Sequence, residues 1–149
     1  MSKITNPIKE LLESQFIQFQ ELNIDETKLF FENWKAKSLM SIKKNINPSV
    51  IKKGLYWHAF SFNLIPHYKN EEAELKFQKL HVKQYYIVSS NLKITGLLCN
   101  SSKLPYLYDL KTIHKKNPFL FDLYISHYKY NWSFVITHED DFGPYFIPK

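Results

Sequence analysis

The C-terminal half of the chain contains a run in which bulky apolar side chains recur at every second position, and this run constrains the fold more than any other feature. Side chains spaced in this way share one face of a β-strand. A second apolar run, residues 121–127, precedes it across a short polar turn, which predicts a hairpin with arms at 121–127 and 131–138. One face of the second arm would carry Trp132, Phe134, Ile136 and His138, and the other Ser133, Val135, Thr137 and Glu139.

Further strands are predicted at residues 55–62, 85–89 and 92–98, where β-branched and aromatic residues are frequent. The segment 55–62 is apolar on both faces, which indicates a strand buried on two sides. Residues 143–147 are predicted to form a short edge strand, because Pro144 lacks the N–H that a sheet ladder needs.

Helix signals are frequent in the N-terminal part and recur later. An Asn or Asp side chain caps the first free N–H groups of a helix, and a proline often follows at the first helical position. The second helix is predicted to bury a stripe made of Leu29, Phe30 and Trp34. A later helix is predicted within residues 103–114, starting after Pro105. The predicted caps are Asn6, Asp25, Asn47 and Asn70.

Together these patterns predict one α+β domain over residues 1–149, mostly helical over 1–53 and β-rich over 54–149. The N-terminal helices would pack on a mostly antiparallel sheet of about four to six strands. A chain of 149 residues buries enough surface to fold without a metal or disulfide. Its single cysteine, Cys99, follows apolar residues and is predicted to be a buried thiol.

Several classes of function are disfavoured by composition. Only three glycines are present, so no glycine-rich phosphate loop exists. No apolar run approaches the roughly 20 residues that cross a bilayer, and no secretory leader is recognisable, so we expect a cytoplasmic protein without membrane contact. No cysteine pair or histidine repeat has metal-ligand spacing, and neither a metal nor another cofactor is predicted.

The positive charge is concentrated in one stretch. Residues 33–70 hold seven lysines and no acid, whereas the whole chain has a net charge of +6. Such a run is either a solvated face or a docking surface for an acidic partner. All 20 basic residues are lysines, and the absence of arginine argues against recognition of nucleic-acid bases. The candidate basic patch comprises Lys43, Lys44, Lys52 and Lys53.

Two histidines are the strongest candidates for chemistry. His58 lies in a predicted strand, and His138 ends another strand immediately before Glu139. If these strands are neighbours, the side chains could converge for acid–base catalysis near neutral pH. The alternative is that both histidines are hydrogen-bonded core residues. Trp57, Trp132 and Tyr145 are likewise either core anchors or, with the two histidines, parts of an exposed binding surface.

Several ordered segments also resemble a family of uncharacterised bacterial proteins, of Bacillus-type, known as the domain of unknown function DUF4275. The resemblance spans roughly residues 54–148, is weak over the first 50, and does not extend to Asp140 and Asp141. It implies a protein without an assigned activity. The residues that carry the resemblance lie in segments 55–62, 71–73, 85–88, 122–125, 132–139 and 143–146 and at Phe77.

Three functions follow as hypotheses. The first is a non-enzymatic protein-interaction module, immunity-like, inhibitor-like or phage-associated, whose partner is another protein and which is a monomer or a small homo-oligomer. The second is a hydrolase, with or without a metal, that uses His58, His138 and Glu139. The third is nucleic-acid binding by lysines, which ranks last because arginine is absent.

Overall fold

The computed structural model describes residues 5–38, 67–139 and 143–148. These residues form four α-helices, one short 3-10 helix at Pro118–Leu120 and seven β-strands. The helices are α1 (Ile8–Ser14), α2 (Ile24–Ser38), α3 (Asn70–Gln78) and α4 (Leu107–Lys116). The strands are β1 (Phe19–Glu21), β2 (Tyr68–Lys69), β3 (Gln84–Ser89), β4 (Leu97–Asn100), β5 (Leu123–His127), β6 (Ser133–Ile136) and β7 (Tyr145–Ile147).

All seven strands belong to one antiparallel sheet with the order β1-β4-β3-β5-β6-β7-β2. The predicted α+β class with an antiparallel sheet is therefore confirmed. The sheet has more strands than expected because β1 and β2 contain only three and two residues. Segments that short carry too little alternation to be recognised in a sequence.

The sheet buries both of its faces. Apolar side chains of α1, α3 and α4 pack on one face, against strand residues such as Ile87, Ile125 and Phe134. Helix α2 packs on the opposite face through Phe30, Phe31 and Trp34. Because strand side chains alternate, β3, β5 and β6 each contribute to both layers. The predicted packing of helices on a sheet is thus extended to a sheet covered on both sides.

Two details of α2 differ from the prediction. The Asn23 side chain accepts a hydrogen bond from the Glu26 N–H (2.8 Å), and Glu26 Oε1 accepts one from the Asn23 N–H (3.0 Å), so the cap is Asn23 and not Asp25. Leu29 is 57% exposed, and Phe31 takes its place beside Phe30 and Trp34. The buried stripe of α2 therefore consists of Phe30, Phe31 and Trp34, and Leu29 is on the solvent side of the helix.

The predicted hairpin is confirmed by the pairing of β5 with β6. The turn is closed by hydrogen bonds from the His127 N–H to the Trp132 carbonyl and from the Tyr130 N–H to the His127 carbonyl. The predicted edge strand at 143–147 is wrong in its position, because β7 pairs with both β6 and β2. Pro144 lies just before this strand, so its missing N–H costs no ladder bond within it.

Other boundaries are shifted. Of the predicted strand 92–98, only the last two residues belong to β4, which begins at Leu97 and ends at Asn100. The residues before it form a turn, in which the Asn91 side chain accepts from the Lys93 N–H and donates to the Phe119 carbonyl. The helix predicted within 103–114 begins at Leu107, after Pro105 as expected, and continues to Lys116. The predicted strand 55–62 and the helix capped by Asn47 lie outside the described residues.

Candidate functional site

The register of the hairpin brings Asp122 and His138 together. Leu123 pairs with Ile136 at the end of the β5–β6 ladder, so the segment before β5 and the segment after β6 lie side by side at this point. Asp122 Oδ1 accepts a hydrogen bond from the His138 backbone N–H (2.9 Å) and lies 2.7 Å from His138 Nδ1. One carboxylate oxygen therefore holds both the backbone and the imidazole of His138.

The two residues differ strongly in exposure. The Asp122 side chain is 1% exposed, whereas the His138 side chain is 36% exposed. The Asp122 backbone is also fixed, because its N–H donates to Ser90 Oγ and its carbonyl accepts from the Ser90 N–H. An ionised carboxylate only accepts hydrogen bonds, so the proton of a neutral imidazole lies on Nδ1 and Nε2 is the basic nitrogen.

Glu139 lies beside the same imidazole. Its Oε1 is 3.6 Å from His138 Nε2, which is longer than a hydrogen bond but within the range of an electrostatic contact. Thr137 Oγ1 donates to the Glu139 carbonyl (2.9 Å) and so restrains the backbone next to His138. One carboxylate therefore lies near each ring nitrogen of His138, Asp122 at Nδ1 and Glu139 at Nε2.

The imidazole of His138 lines an open cavity of about 690 Å³. The first turns of α3 form one wall, and the last turns of α4 form a second. The segment after β6 and the segment before β7 complete it. The lining residues are Asn70, Glu71, Glu74, Lys111, His114, Lys115, Pro118, Phe121, Ile136, Thr137, His138, Glu139, Gly143 and Pro144.

Three of the five described residues with a positive φ line this cavity, whereas Phe16 and Tyr130 are not among its lining residues. Asn70 (φ 57°), Phe121 (φ 54°) and Gly143 (φ 85°) all have positive φ and all line it. Phe121 is the most costly of the three, because a bulky side chain in this region costs on the order of 1–3 kcal/mol. Strain of this size persists where the surrounding contacts impose it, and it is concentrated at functional sites.

Phe121 also fixes a second imidazole. Its carbonyl oxygen lies 2.6 Å from Nε2 of His114, near the end of α4. The neighbouring residue, Asp122, holds His138. Two consecutive residues at one turn therefore position two histidines that come from different parts of the chain and line the same cavity.

The described lining residues of the cavity carry charges of both signs. Lys111 Nζ forms an ion pair with Glu74 Oε2 (3.2 Å) and connects α4 with α3. Glu71 and Glu139 are the other acids of the lining, and Lys115 is the other base. Among the described lining residues there are three carboxylates and two ammonium groups, with the histidines counted as neutral.

The predicted site residues divide into three groups. His138 and Glu139 lie together at the cavity. Trp132 (8% exposed) and Tyr145 (4% exposed) are buried in the core on opposite faces of the sheet. They are therefore core anchors and do not form an exposed binding surface. The remaining ones lie outside the described residues: Trp57, His58, Lys43, Lys44, Lys52 and Lys53.

Two important residues were not predicted as site residues. Asp122 was recognisable in principle, because the predicted hairpin arms, 121–127 and 131–138, already place it beside the segment that contains His138. His114 had no such signal, since it reaches Phe121 only through the packing of α4 on the sheet. Within the described ranges, no three His, Cys, Asp or Glu residues are grouped so as to hold a metal ion.

Comparisons with known proteins identify a family but no activity. No curated protein and no solved structure matches the chain. None of the helices in the described part has the length and apolar character that would let it cross a bilayer. A profile of the family described as Domain of unknown function (DUF4275) matches residues 8–146, and it includes the hairpin and the cavity residues. This match covers nearly the whole chain, and the protein therefore belongs to the DUF4275 family.

Proposed function

We propose that the cavity binds a small polar molecule and that His138 transfers a proton to or from it. The observation that carries this proposal is the contact between His138 Nδ1 and the buried carboxylate of Asp122 (2.7 Å). A histidine that donates one N–H to a carboxylate is fixed in tautomer and orientation, and its second nitrogen is the one that accepts a proton.

General-base activation of water is the chemistry that such a histidine supports. His138 accepts a proton from water as the oxygen attacks an electrophilic carbon, and Asp122 stabilises the imidazolium that forms. None of the described lining residues is a cysteine or a serine, and the Thr137 hydroxyl donates to the Glu139 carbonyl, so the proposed attacking group is water. The reaction class is therefore hydrolysis of an ester or amide.

The carboxylates among the described lining residues disfavour a polyanionic substrate. Glu71, Glu74 and Glu139 would repel a polyanion, and Lys111 is already paired with Glu74. A volume of about 690 Å³ is in the range of cavities that hold small molecules. These features favour a metabolite-sized substrate over a nucleic acid.

Hydrolysis of p-nitrophenyl acetate tests the proposal with matched variants. We expect His138→Gln to lower the rate at pH 7.5 by about 100-fold, and Asp122→Asn by about 10-fold or more, since a general base contributes about 10²–10⁴-fold. His81→Gln changes an exposed histidine that is not among the lining residues and is expected to keep the wild-type rate. Equal rates in all four proteins would refute the acid–base function.

A protein-interaction role, immunity-like, inhibitor-like or phage-associated, is the second candidate, and it is favoured by a set of exposed aromatic residues. Phe16 is 94% exposed, Tyr106 60% and Tyr108 80%. Gln15 connects the segments that carry them, because its Oε1 accepts from the Tyr106 N–H (3.0 Å) and its Nε2 donates to Asp109 Oδ2 (2.9 Å). Rings that are presented on a restrained backbone are suited to insertion into a partner protein.

Affinity capture from cells that produce the protein natively tests this role. The wild type would recover a stoichiometric protein partner, and a variant with serine at positions 16, 106 and 108 would lose it. A matched variant with serine at the exposed Leu75 and Leu92 controls for a general loss of surface apolarity. Recovery that is identical for both variants would argue against these aromatic residues as the contact surface.

A further inference from the structure

We propose that His114 is the second acid–base group of the cavity and donates a proton to the leaving group while His138 activates water. This inference rests on the proposed function and deepens it. It assigns a role to a residue that reaches the cavity from α4, and it names the class of bond that is cleaved, a carboxamide.

The hydrogen bond of His114 fixes which nitrogen can react. Its Nε2 lies 2.6 Å from the Phe121 carbonyl, and a carbonyl oxygen only accepts, so Nε2 carries a proton. The exchangeable proton of the imidazolium form is then on Nδ1, and in the described part of the chain this nitrogen makes no other hydrogen bond. His114 is half-buried and lines the cavity.

The two histidines are held in opposite ways. His138 is bound through Nδ1 by Asp122, and His114 is bound through Nε2 by Phe121. Their acceptors are consecutive in the chain, and the positive φ of Phe121 (54°) turns the backbone between the 3-10 helix and β5. This explains why a strained conformation is kept at a bulky residue: it lets one turn position both imidazoles.

Paired histidines allow both proton transfers of an amide hydrolysis. Neutral His138 takes a proton from water while the water oxygen forms a bond to the carbonyl carbon. Protonated His114 gives its Nδ1 proton to the amide nitrogen as the carbon–nitrogen bond breaks. His138 ends protonated and His114 neutral, and exchange with solvent restores both. An amine leaving group needs this proton, whereas a nitrophenolate is stable enough to leave without it.

This difference provides the test. The probes are p-nitrophenyl acetate and p-nitroacetanilide, which share the acyl group and differ in the leaving atom, oxygen or nitrogen. We expect His114→Gln to lower anilide hydrolysis by about 100-fold and to raise the ratio of the ester rate to the anilide rate at least about 10-fold.

The outcomes separate the two proposals. An unchanged ratio of ester to anilide rates in His114→Gln, including the case in which both fall together, overturns the role of His114 as an acid. The role of His114 as an acid is also overturned if the wild type hydrolyses the anilide no faster than His114→Gln does. His138→Gln that retains both rates overturns the proposed function itself. The ester rate that remains in His114→Gln, together with its circular dichroism spectrum, reports whether the variant is folded, and His81→Gln is the matched control.

Discussion

Replacement of Asp122 by alanine is the perturbation that most directly probes the site. The carboxylate is buried (1% exposed) and accepts from the backbone N–H of His138 at 2.9 Å and from its Nδ1 at 2.7 Å. The variant removes the oxygen that accepts both hydrogen bonds, whereas His138→Ala removes only the contact with the imidazole. Comparing the two therefore separates the backbone contact from the side-chain contact.

The expected magnitudes follow from these contacts. A hydrogen bond to a charged group contributes about 1.5–3 kcal/mol, and the 36% exposed imidazole can partly rehydrate, so its contact belongs at the lower end. We expect Asp122→Ala to lower the free energy of unfolding by about 3–4 kcal/mol and His138→Ala by about 1.5–2 kcal/mol. The double variant should lose little more than Asp122→Ala, which gives a coupling energy of about 1.5 kcal/mol.

Urea unfolding at pH 7.5, followed by tryptophan fluorescence, measures the four proteins of this cycle. The ion pair of Lys111 with Glu74 (3.2 Å) is a matched control at the same cavity. Its side chains are 47% and 25% exposed, so its coupling energy is expected to be below about 1 kcal/mol.

A coupling energy between Asp122 and His138 below about 0.5 kcal/mol would refute the reasoning. It would mean that the buried carboxylate is retained for the backbone N–H of residue 138 and does not orient the imidazole. The general-base proposal would then lose the observation that carries it.

Three further predictions concern stability. Burial raises the pKa of the Cys99 thiol to about 12, so the stability contributed by the neutral thiol is present below the unfolded pKa of about 8.5 and is lost as the pH rises through 12. In urea titrations between pH 8 and pH 11, the wild type should lose about 3 kcal/mol of unfolding free energy relative to Cys99→Ala. Parallel curves of unfolding free energy against pH for the two proteins would contradict this. Trp34→Phe deletes the hydrogen bond from Nε1 to Ser133 Oγ (2.8 Å) and part of a fully buried ring. Chemical denaturation should therefore show that the free energy of unfolding falls by about 2–3 kcal/mol, and a fall below about 1 kcal/mol would show that this hydrogen bond contributes little. Gly143→Ala adds a Cβ to a residue whose φ is 85° and places it 3.2 Å from the Tyr145 ring. Thermal unfolding should show that the free energy of unfolding falls by about 1–2 kcal/mol, and an unchanged midpoint would mean that this segment relaxes to accept the side chain.

Local patterns predicted the hairpin well, because the spacing of Trp132, Phe134 and Ile136 depends only on the two-residue repeat of a strand. They placed His138 at the end of the second arm, next to Glu139, although β6 ends two residues earlier, at Ile136. The cap of α2 was misplaced because Asp25 and Asn23 have similar capping chemistry, and the choice between them depends on which face of the helix meets the sheet.

The position of β7 shows a second limit. A proline near the strand indicated an edge, yet β7 lies between β6 and β2. The partner that covers it, Tyr68–Lys69, is two residues long and has no periodicity to detect. Strand order depends on long-range pairing, and a local propensity contains no information about it.

By itself, the sequence determined the class of the fold, the hairpin and the membership of His138 in a polar segment at its end, because each depends on side-chain spacing along a few residues. Only the tertiary structure decided that Asp122 is buried beneath His138, that His114 joins them from α4, and that Trp132 and Tyr145 lie in opposite layers. The physical reason is that burial and the direction of a hydrogen bond are set by elements distant in the chain. Packing of α3 and α4 on one face of the sheet forms the cavity, and that packing determines which histidines can act together.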